Sequence, residues 1–181
     1  MSAARHPGWA GPAVSTDPRG LPLVEMTRTY QFSAAHRMHN PAFSDAENAR
    51  VYGRCNNPTG HGHTYRLAVT VRGPVSPDTG WVMPGEALDA RVRQQVLTRF
   101  DRANLDQLLS PADGVTSTTE VLAGLLWRLL EGTLTGAVLW RLRIEETSSN
   151  FFEITRPLLQ RAAVPPDRPG PAAGRQKASR P

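Results

Sequence analysis

Two stretches of the chain alternate apolar and polar residues with the period of two that a β-strand produces. The first begins at Met26, and its inward positions are Tyr30, Phe32, Ala34 and His36. The second runs from His61 to about Arg72, and its inward positions are His61, His63, Tyr65, Leu67, Val69 and Val71. The pattern predicts two strands whose apolar faces each carry histidine at one end.

Two later stretches repeat apolar residues every three or four positions, as amphipathic helices do. The first helix is predicted over roughly Glu86 to Phe100. The second is predicted to start at a capping box, with Ser117 as N-cap and Glu120 three residues later, and to end at Gly132.

Between His39 and Arg54 the sequence predicts a polar loop.

A third strand is predicted over about Ala137 to Thr147 and a fourth over Phe151 to Thr155. Alternation places Glu146 on the apolar face of the third strand, with Val138, Trp140, Leu142 and Ile144. Glu145 falls on the solvated face. The order strand, strand, helix, helix, strand, strand predicts an α+β domain, with an antiparallel four-stranded sheet covered on one face by two helices.

The inward position of Glu146 requires a partner, because an unpaired buried carboxylate is costly. An arginine in a salt bridge is one candidate. A ligand that presents two parallel N–H donors is the other.

Composition indicates one domain with an extension at each end. Residues 1–25 and 158–181 are rich in proline and lack periodicity, so both are expected to be disordered, and 26–157 to form the domain. Of the net charge of +5, the tail 158–181 holds five basic residues against one acidic residue. The nearly neutral domain does not favour nucleic-acid binding.

The chain has no apolar run of membrane-spanning length and no secretory signal, so neither a membrane segment nor export is expected. Its one cysteine excludes an intrachain disulfide and fits a reducing cytoplasm.

Candidate chemistry concentrates between His36 and His63, a window of 28 residues that holds four of the five histidines and the only cysteine. Three neutral imidazoles from two neighbouring strands, with a fourth position left open, are typical of catalytic zinc. A His-x-His pair on a strand also occurs in structural or solvated roles, but the nearby His36 and Cys55 favour the metal.

Four motifs occur in this order: FSAAHRMHNP, SDAENARVYGRCNNPTGHGHTY, VTSTTE and IEETSSN. They resemble the 6-pyruvoyltetrahydropterin synthase family, over about Thr27 to Ile154. Within the wider superfamily, which includes the 6-carboxytetrahydropterin synthases, the six-residue step from Cys55 to His61 is closer to the pyruvoyl type. The resemblance implies a tunnelling-type fold closed into an oligomeric barrel. It also implies a hexamer of two trimers, with sites between subunits.

The resemblance also implies roles for individual residues. The positions that match the family's zinc ligands are His36, His61 and His63. Cys55 matches the base that abstracts a proton, and Glu146 matches the residue that anchors the pterin ring. Thr118 and Thr119 match residues beside the pterin.

One position departs from the family, whose members carry Leu-Asp-His where this chain has Phe100-Asp101-Arg102. Asp101 keeps the relay aspartate, but Arg102 cannot be a general base because its guanidinium stays protonated. Arg102 could lower the pKa of Cys55 or bind the substrate phosphate; alternatively, the protein has lost the family reaction.

The resemblance therefore implies a zinc-dependent lyase of tetrahydrobiopterin biosynthesis. Its reaction would convert 7,8-dihydroneopterin triphosphate to 6-pyruvoyltetrahydropterin and release triphosphate. The alternatives are a 6-carboxytetrahydropterin synthase, an enzyme that cleaves the side chain, and a pterin-binding protein without turnover.

Overall fold

The computed structural model describes residues 14–109 and 116–157, and in these ranges five strands form one sheet. The strands are β1 (Leu23–His36), β2 (His61–Pro74), β3 (Ala103–Asn104), β4 (Val138–Glu145) and β5 (Phe151–Thr155). Their order across the sheet is β3-β1-β2-β4-β5, and every neighbouring pair is antiparallel except β3 with β1. The fold is α+β as predicted. The expected four-stranded, purely antiparallel sheet is wrong, because the two residues of β3 are too few to show alternation.

The long β1–β2 pair positions the histidines. Its register runs from Leu23 opposite Pro74 to His36 opposite His61. On β1 the inward side chains become buried toward this end (Phe32, Ala34 and His36), whereas on β2 they are buried from Tyr65 onward and His61 and His63 are half-buried. All three predicted ligands therefore share one face and one end of the sheet.

Two helices cover this inward face, as predicted. The first, α2, consists of the consecutive segments Gly85–Val92, Arg93–Leu97 and Thr98–Phe100, and in the middle segment the turn widens to i→i+5 hydrogen bonds. The second long helix, α4, spans Thr119–Leu130, and a short α3 (Leu105–Leu108) precedes it. Their buried residues form one core with the sheet: Leu88, Val92, Val96, Phe100, Leu122, Leu126 and Leu130.

A helix that the sequence analysis missed, α1, occupies Asp45–Tyr52 in the expected polar loop, and a 3₁₀ turn (Gly53–Asn56) follows it. Ser44 caps α1 in a reciprocal capping box with Glu47. The predicted capping box of α4 is wrong, because Thr118 is its N-cap and the Ser117 hydroxyl bonds to Asp106 instead.

A β-bulge changes which side chains of β4 face inward. Thr70 pairs with Arg141 but Val71 pairs with Leu139, so Trp140 is an extra residue on this strand. Consequently Leu139 is buried and Val138 is 48% exposed. The predicted inward positions of Val138 and Trp140 are wrong, whereas Leu142 and Ile144, beyond the bulge, are buried as expected.

The first strand begins at Leu23, three residues before the predicted start. Residues 14–22, which fall within the expected disordered extension, include a turn in which the Asp17 carboxylate accepts from the backbone N–H groups of Arg19 and Leu21. The rest of that extension and the tail 158–181 lie outside the described residues. Within the described ranges, no helix has the length and hydrophobicity needed to cross a membrane.

Candidate metal centre

Three imidazoles meet at the end of the β1–β2 pair. One ring nitrogen from each of His36, His61 and His63 lies within 4.8 Å of the others. The ring centroids are 4.6 to 5.3 Å apart. His36 is directly opposite His61 across the two strands, and His63 is the next inward residue of β2. The predicted trio is therefore brought together by strand register alone.

The hydrogen bonding of these rings fits a metal site. Nδ1 of His36 is 2.6 Å from the carbonyl oxygen of Ser117, so it carries the proton and leaves a lone pair on Nε2. That Nε2, Nδ1 of His61 and Nε2 of His63 are buried and have no hydrogen-bond partner among the described residues. Unpaired buried polar atoms are costly unless something satisfies them, and three imidazoles that each offer a nitrogen within 4.8 Å of the others suit a divalent transition metal.

Burial also keeps two of the rings in the form that binds metal. It lowers the pKa of His61 below its usual value of 6.5, and charge on His36 or His63 would lower this pKa further. Burial lowers the pKa of His63 in the same way, although the Glu146 carboxylate acts against it. Metal ligation requires the neutral imidazole, so these environments favour it at neutral pH.

Glu146 follows β4 and reaches the same place. Its Oε1 lies 3.8 Å from Nε2 of His36 and 3.7 Å from Nε2 of His63, and its side chain is 15% exposed. Oε1 accepts from the Thr119 hydroxyl (2.7 Å) and Oε2 from the Asn150 amide (3.2 Å). No arginine pairs with this carboxylate in the described part of the chain. A ligand therefore remains the better candidate for its unfilled acceptor capacity.

The neighbouring Glu145 behaves as alternation predicted. Its carboxylate pairs with Arg143 (3.0 Å) and approaches Arg66 (3.9 Å), on the other face of the sheet. The sequence pattern thus separates the two carboxylates correctly.

Cys55 lies in the 3₁₀ turn that follows α1, and this turn is attached to the chain just beyond His36. The carbonyl oxygen of Cys55 accepts from Met38 N–H (2.8 Å). Next to it, the carbonyl oxygen of Asn56 accepts from Nε of Arg37 (3.2 Å), and the Asn56 amide donates to the Met38 carbonyl (2.8 Å). These bonds fix the backbone of the cysteine beside the end of β1 that carries His36.

Gly60 closes the connection between this turn and β2. Its φ is +70°, and a Cβ there would be 3.1 Å from the His36 carbonyl oxygen. Only glycine combines this backbone angle with so close an approach to the ligand strand.

Asp101 and Arg102 lie along the edge of β1, beside Ser33. Asp101 accepts from Ser33 N–H (2.9 Å), and Arg102 N–H donates to the Ser33 carbonyl (2.6 Å). Arg102 has φ of 59°, and its side chain is 90% exposed. It lines a cleft of about 370 Å³ with Ser33, Gly62, Thr64 and one of the three histidines, His63, among others. Within the described ranges, no hydrogen bond or ion pair joins either residue to the histidines or to Cys55.

The two predicted threonines take different places. Thr119 is buried and donates to Glu146, whereas the Thr118 hydroxyl accepts from Val121 N–H as the helix cap. Sequence reasoning missed Asp106, whose carboxylate accepts from Arg37 N–H and the Ser117 hydroxyl. The sequence pattern also treated Tyr65 only as an inward position of β2. In the structure Tyr65 is fully buried, and its phenol oxygen has no hydrogen-bond partner among the described residues.

Comparison with known proteins gives consistent matches. A family model described as 6-pyruvoyl tetrahydropterin synthase matches residues 25–157. A protein of Poecilia reticulata named 6-pyruvoyl tetrahydrobiopterin synthase is 42% identical over 137 residues, which cover 76% of this chain and 93% of that protein. The human protein of the same name is 38% identical over 128 residues, 71% of this chain and 88% of its own. The solved structure of Caenorhabditis elegans 6-pyruvoyl tetrahydropterin synthase matches with a TM-score of 0.69 at 38% identity, covering 75% of this chain and 96% of that one.

Proposed function

Because the chain belongs to the 6-pyruvoyl tetrahydropterin synthase family, we propose that it is a zinc-dependent lyase acting on 7,8-dihydroneopterin triphosphate. The products are 6-pyruvoyltetrahydropterin and triphosphate. The observation that carries the proposal is the convergence of three buried, unpartnered imidazole nitrogens beside an inward carboxylate.

The metal ligands are His36, His61 and His63, and their all-nitrogen donor set suits zinc. When bound, zinc would supply Lewis acidity to the side-chain hydroxyls of the substrate and so make the C–H bond of the neighbouring carbon more acidic. The protein holds His36 in the required tautomer through the Ser117 carbonyl.

Glu146 binds the pterin ring. Its two oxygens each accept one protein hydrogen bond and keep further acceptor capacity, which matches the two parallel N–H donors on the aminopyrimidinone edge of a pterin. Thr119 orients the carboxylate by donating to Oε1, and Thr118 contributes beside it as the cap of α4.

Cys55 is the base. As thiolate it takes a proton from the substrate side chain, and the electron pair left on carbon expels triphosphate. The resulting enol tautomerises to a methyl ketone, and the remaining side-chain carbinol passes two electrons and two protons to the C=N bond of the dihydropterin ring, which gives the pyruvoyl group and the tetrahydropterin without an external oxidant. The attachment of the Cys55 turn to Met38 supports this role, because it holds the cysteine beside the ligand strand.

Asp101 and Arg102 serve the site of a neighbouring copy in a homo-oligomer, a hexamer of two trimers whose sheets close into a barrel. Two features support this arrangement. Both residues lie directly before β3, the edge strand of the sheet, and the Arg102 side chain is 90% exposed within the described chain. In that neighbouring site Asp101 would take part in the proton relay, and Arg102 would contact the triphosphate. We place the reaction in the cytoplasm, where a single free thiol stays reduced.

Arg102 also motivates a second candidate, a pterin-binding protein without turnover. The family carries histidine at this position, and guanidinium cannot exchange a proton near neutral pH. A related enzyme that forms the carboxy product or cleaves the side chain is the remaining alternative.

Incubation of untagged, zinc-loaded protein with 7,8-dihydroneopterin triphosphate tests these possibilities. Triphosphate release with the pyruvoyl product supports the lyase, and loss of both in Cys55→Ala assigns the base. A carboxy product or a released aldehyde indicates a related enzyme. Binding of intact substrate without turnover indicates the binding protein.

Arg102→His then tests the departure from the family. Arg66→His is its control, because Arg66 is likewise an exposed arginine but lies on the outer face of β2 and pairs with Glu145. If the parent is inactive and Arg102→His restores no activity, the missing relay histidine is not the cause.

A further inference from the structure

We propose that Asp106 is a positioning residue for the metal centre. Its carboxylate controls metal affinity by fixing the peptide N–H that follows His36 and the residue that accepts a hydrogen bond from the His36 ring. This inference rests on the proposed function, since it assumes that the three histidines bind a metal. Asp106 belongs to none of the four motifs that carried the family resemblance.

The contacts form a short chain from the carboxylate to the ligand. Ser117 donates its hydroxyl to Oδ1 of Asp106 (2.5 Å), and the Ser117 carbonyl accepts from Nδ1 of His36 (2.6 Å). Ser117 is 4% exposed and His36 is 1% exposed, so little water is available to replace either bond. Asp106 therefore fixes the group that sets the tautomer of His36.

The same carboxylate also holds the backbone on the other side of the ligand. Arg37 N–H donates to Oδ1 at 3.1 Å and to Oδ2 at 2.9 Å. Arg37 follows His36 directly, where β1 has ended and no strand partner can accept from this N–H. The Asp106 carboxylate thus accepts from two groups that hold His36 in place. One is the Arg37 N–H, directly after His36, and the other is the hydroxyl of Ser117, whose carbonyl accepts from the His36 ring.

The network extends to the cysteine turn. Arg37 donates through Nε to the Asn56 carbonyl (3.2 Å), next to Cys55. Asp106 is itself held at the start of α3, where its N–H donates to the Asn104 side chain (2.9 Å). Because the donors come from separate segments, the carboxylate ties the ligand strand, the cysteine turn and the start of α4 together.

Asp106→Asn changes this network without changing its shape. Asparagine keeps one oxygen acceptor for Arg37 N–H, and its NH₂ group then donates to the Ser117 hydroxyl, whose own proton can turn only to the more distant Arg37 carbonyl (3.4 Å). The charge-assisted hydrogen bond from the Ser117 hydroxyl to the carboxylate is therefore lost. Loss of a hydrogen bond made directly to a metal-ligating histidine lowers metal affinity by about 10- to 100-fold. Asp106 acts one contact further out, through Ser117 and Arg37, so we expect a loss near the lower end of this range. Ser117→Ala removes the other end of the same contact and should have a similar effect.

Asp89→Asn provides a matched control. The Asp89 carboxylate also accepts from two donors, Arg28 (2.6 and 2.7 Å) and Tyr30 (2.9 Å), but Arg28 lies eight residues before His36 on β1. This variant should lose stability without losing metal affinity.

The experiment is a titration of metal-free full-length protein with Zn²⁺ against a chelating indicator, with Co²⁺ absorption as the signature of the ligand geometry. We expect the Zn²⁺ dissociation constant to rise about tenfold or more in Asp106→Asn and in Ser117→Ala. The double variant should bind Zn²⁺ with about the same affinity as the single variant that binds it less tightly, because both changes break the same hydrogen-bond network. Asp89→Asn should match the wild type.

The outcomes separate this inference from the proposed function. Wild-type protein that binds no Zn²⁺ overturns the metal centre and with it this role of Asp106. Wild-type protein that binds Zn²⁺, together with an Asp106→Asn variant of equal affinity and an unchanged Co²⁺ spectrum, overturns the positioning role alone. Strictly additive effects in the double variant would also contradict a shared network.

Discussion

Replacing Glu146 by glutamine separates ligand recognition from the metal in a single step. Glutamine has nearly the same shape, and its oxygen can keep the hydrogen bond from Thr119 (2.7 Å). The change removes the negative charge and places an NH₂ group where Oε2 accepts from Asn150 (3.2 Å). The protein can absorb this loss because Asn150 is exposed and water can replace the contact.

A bound pterin has no such alternative. It loses a charged acceptor for one of its two N–H donors, in a position where the carboxylate side chain is 15% exposed. Hydrogen bonds to charged groups contribute about 1.5–3 kcal/mol, so pterin affinity should fall by about 10- to 150-fold. The unfolding free energy of the metal-free protein should change by less than about 1 kcal/mol.

Calorimetric titration with neopterin, which lacks the triphosphate leaving group, measures this affinity without turnover. Glu145→Gln is the matched control, since it removes the same charge from the neighbouring residue, whose partners are Arg143 and Arg66. Equal pterin affinity in Glu146→Gln and wild type, or an equal loss in Glu145→Gln, would refute the assignment of Glu146 as the ring anchor.

Three further expectations follow from individual side chains. Burial lowers the folded-state pKa of His61 and His63, so the unfolded chain takes up protons at a higher pH than the folded chain does. The metal-free protein should therefore lose stability as pH falls through about 6.5. Equal urea denaturation midpoints at acidic and neutral pH would contradict this. Tyr65→Phe removes a buried hydroxyl without a partner among the described residues, so urea unfolding should show unchanged or higher stability, and a loss above about 2 kcal/mol would disprove it. Ser44→Ala should cost about 1 kcal/mol by the same assay, with α1 opening first in hydrogen exchange; unchanged protection of α1 would count against the cap.

The histidine trio could be predicted from the sequence because its geometry is local to one strand pair. The period of two places His61 and His63 on one face, and the pairing of His36 with His61 follows once the strands are neighbours. No distant element is needed to bring these rings together.

Helix α1 escaped prediction because it is not built on an apolar face. Its one buried residue is Asn48, whose amide donates to the carbonyls of Asn40, Phe43 and Ser44. Hydrophobic periodicity cannot detect a helix that packs through a polar side chain. The local signal that existed was the capping box of Ser44 and Glu47.

The role of Asp106 could not be read from the sequence for a different reason. Its donors are Arg37 and Ser117, 69 and 11 residues away along the chain, and no local pattern relates them. The bulge at Trp140 is similar, because it is set by the pairing of β4 with β2. Such features appear only after the sheet has formed and brought distant segments together.

The proposed chemistry requires a metal held by three imidazoles, and anomalous diffraction at the zinc absorption edge from crystals of untagged protein can detect it. We expect one strong peak among the rings of His36, His61 and His63, beside Glu146. Crystals grown with zinc that show no peak there, or rings turned away from one another, would contradict it.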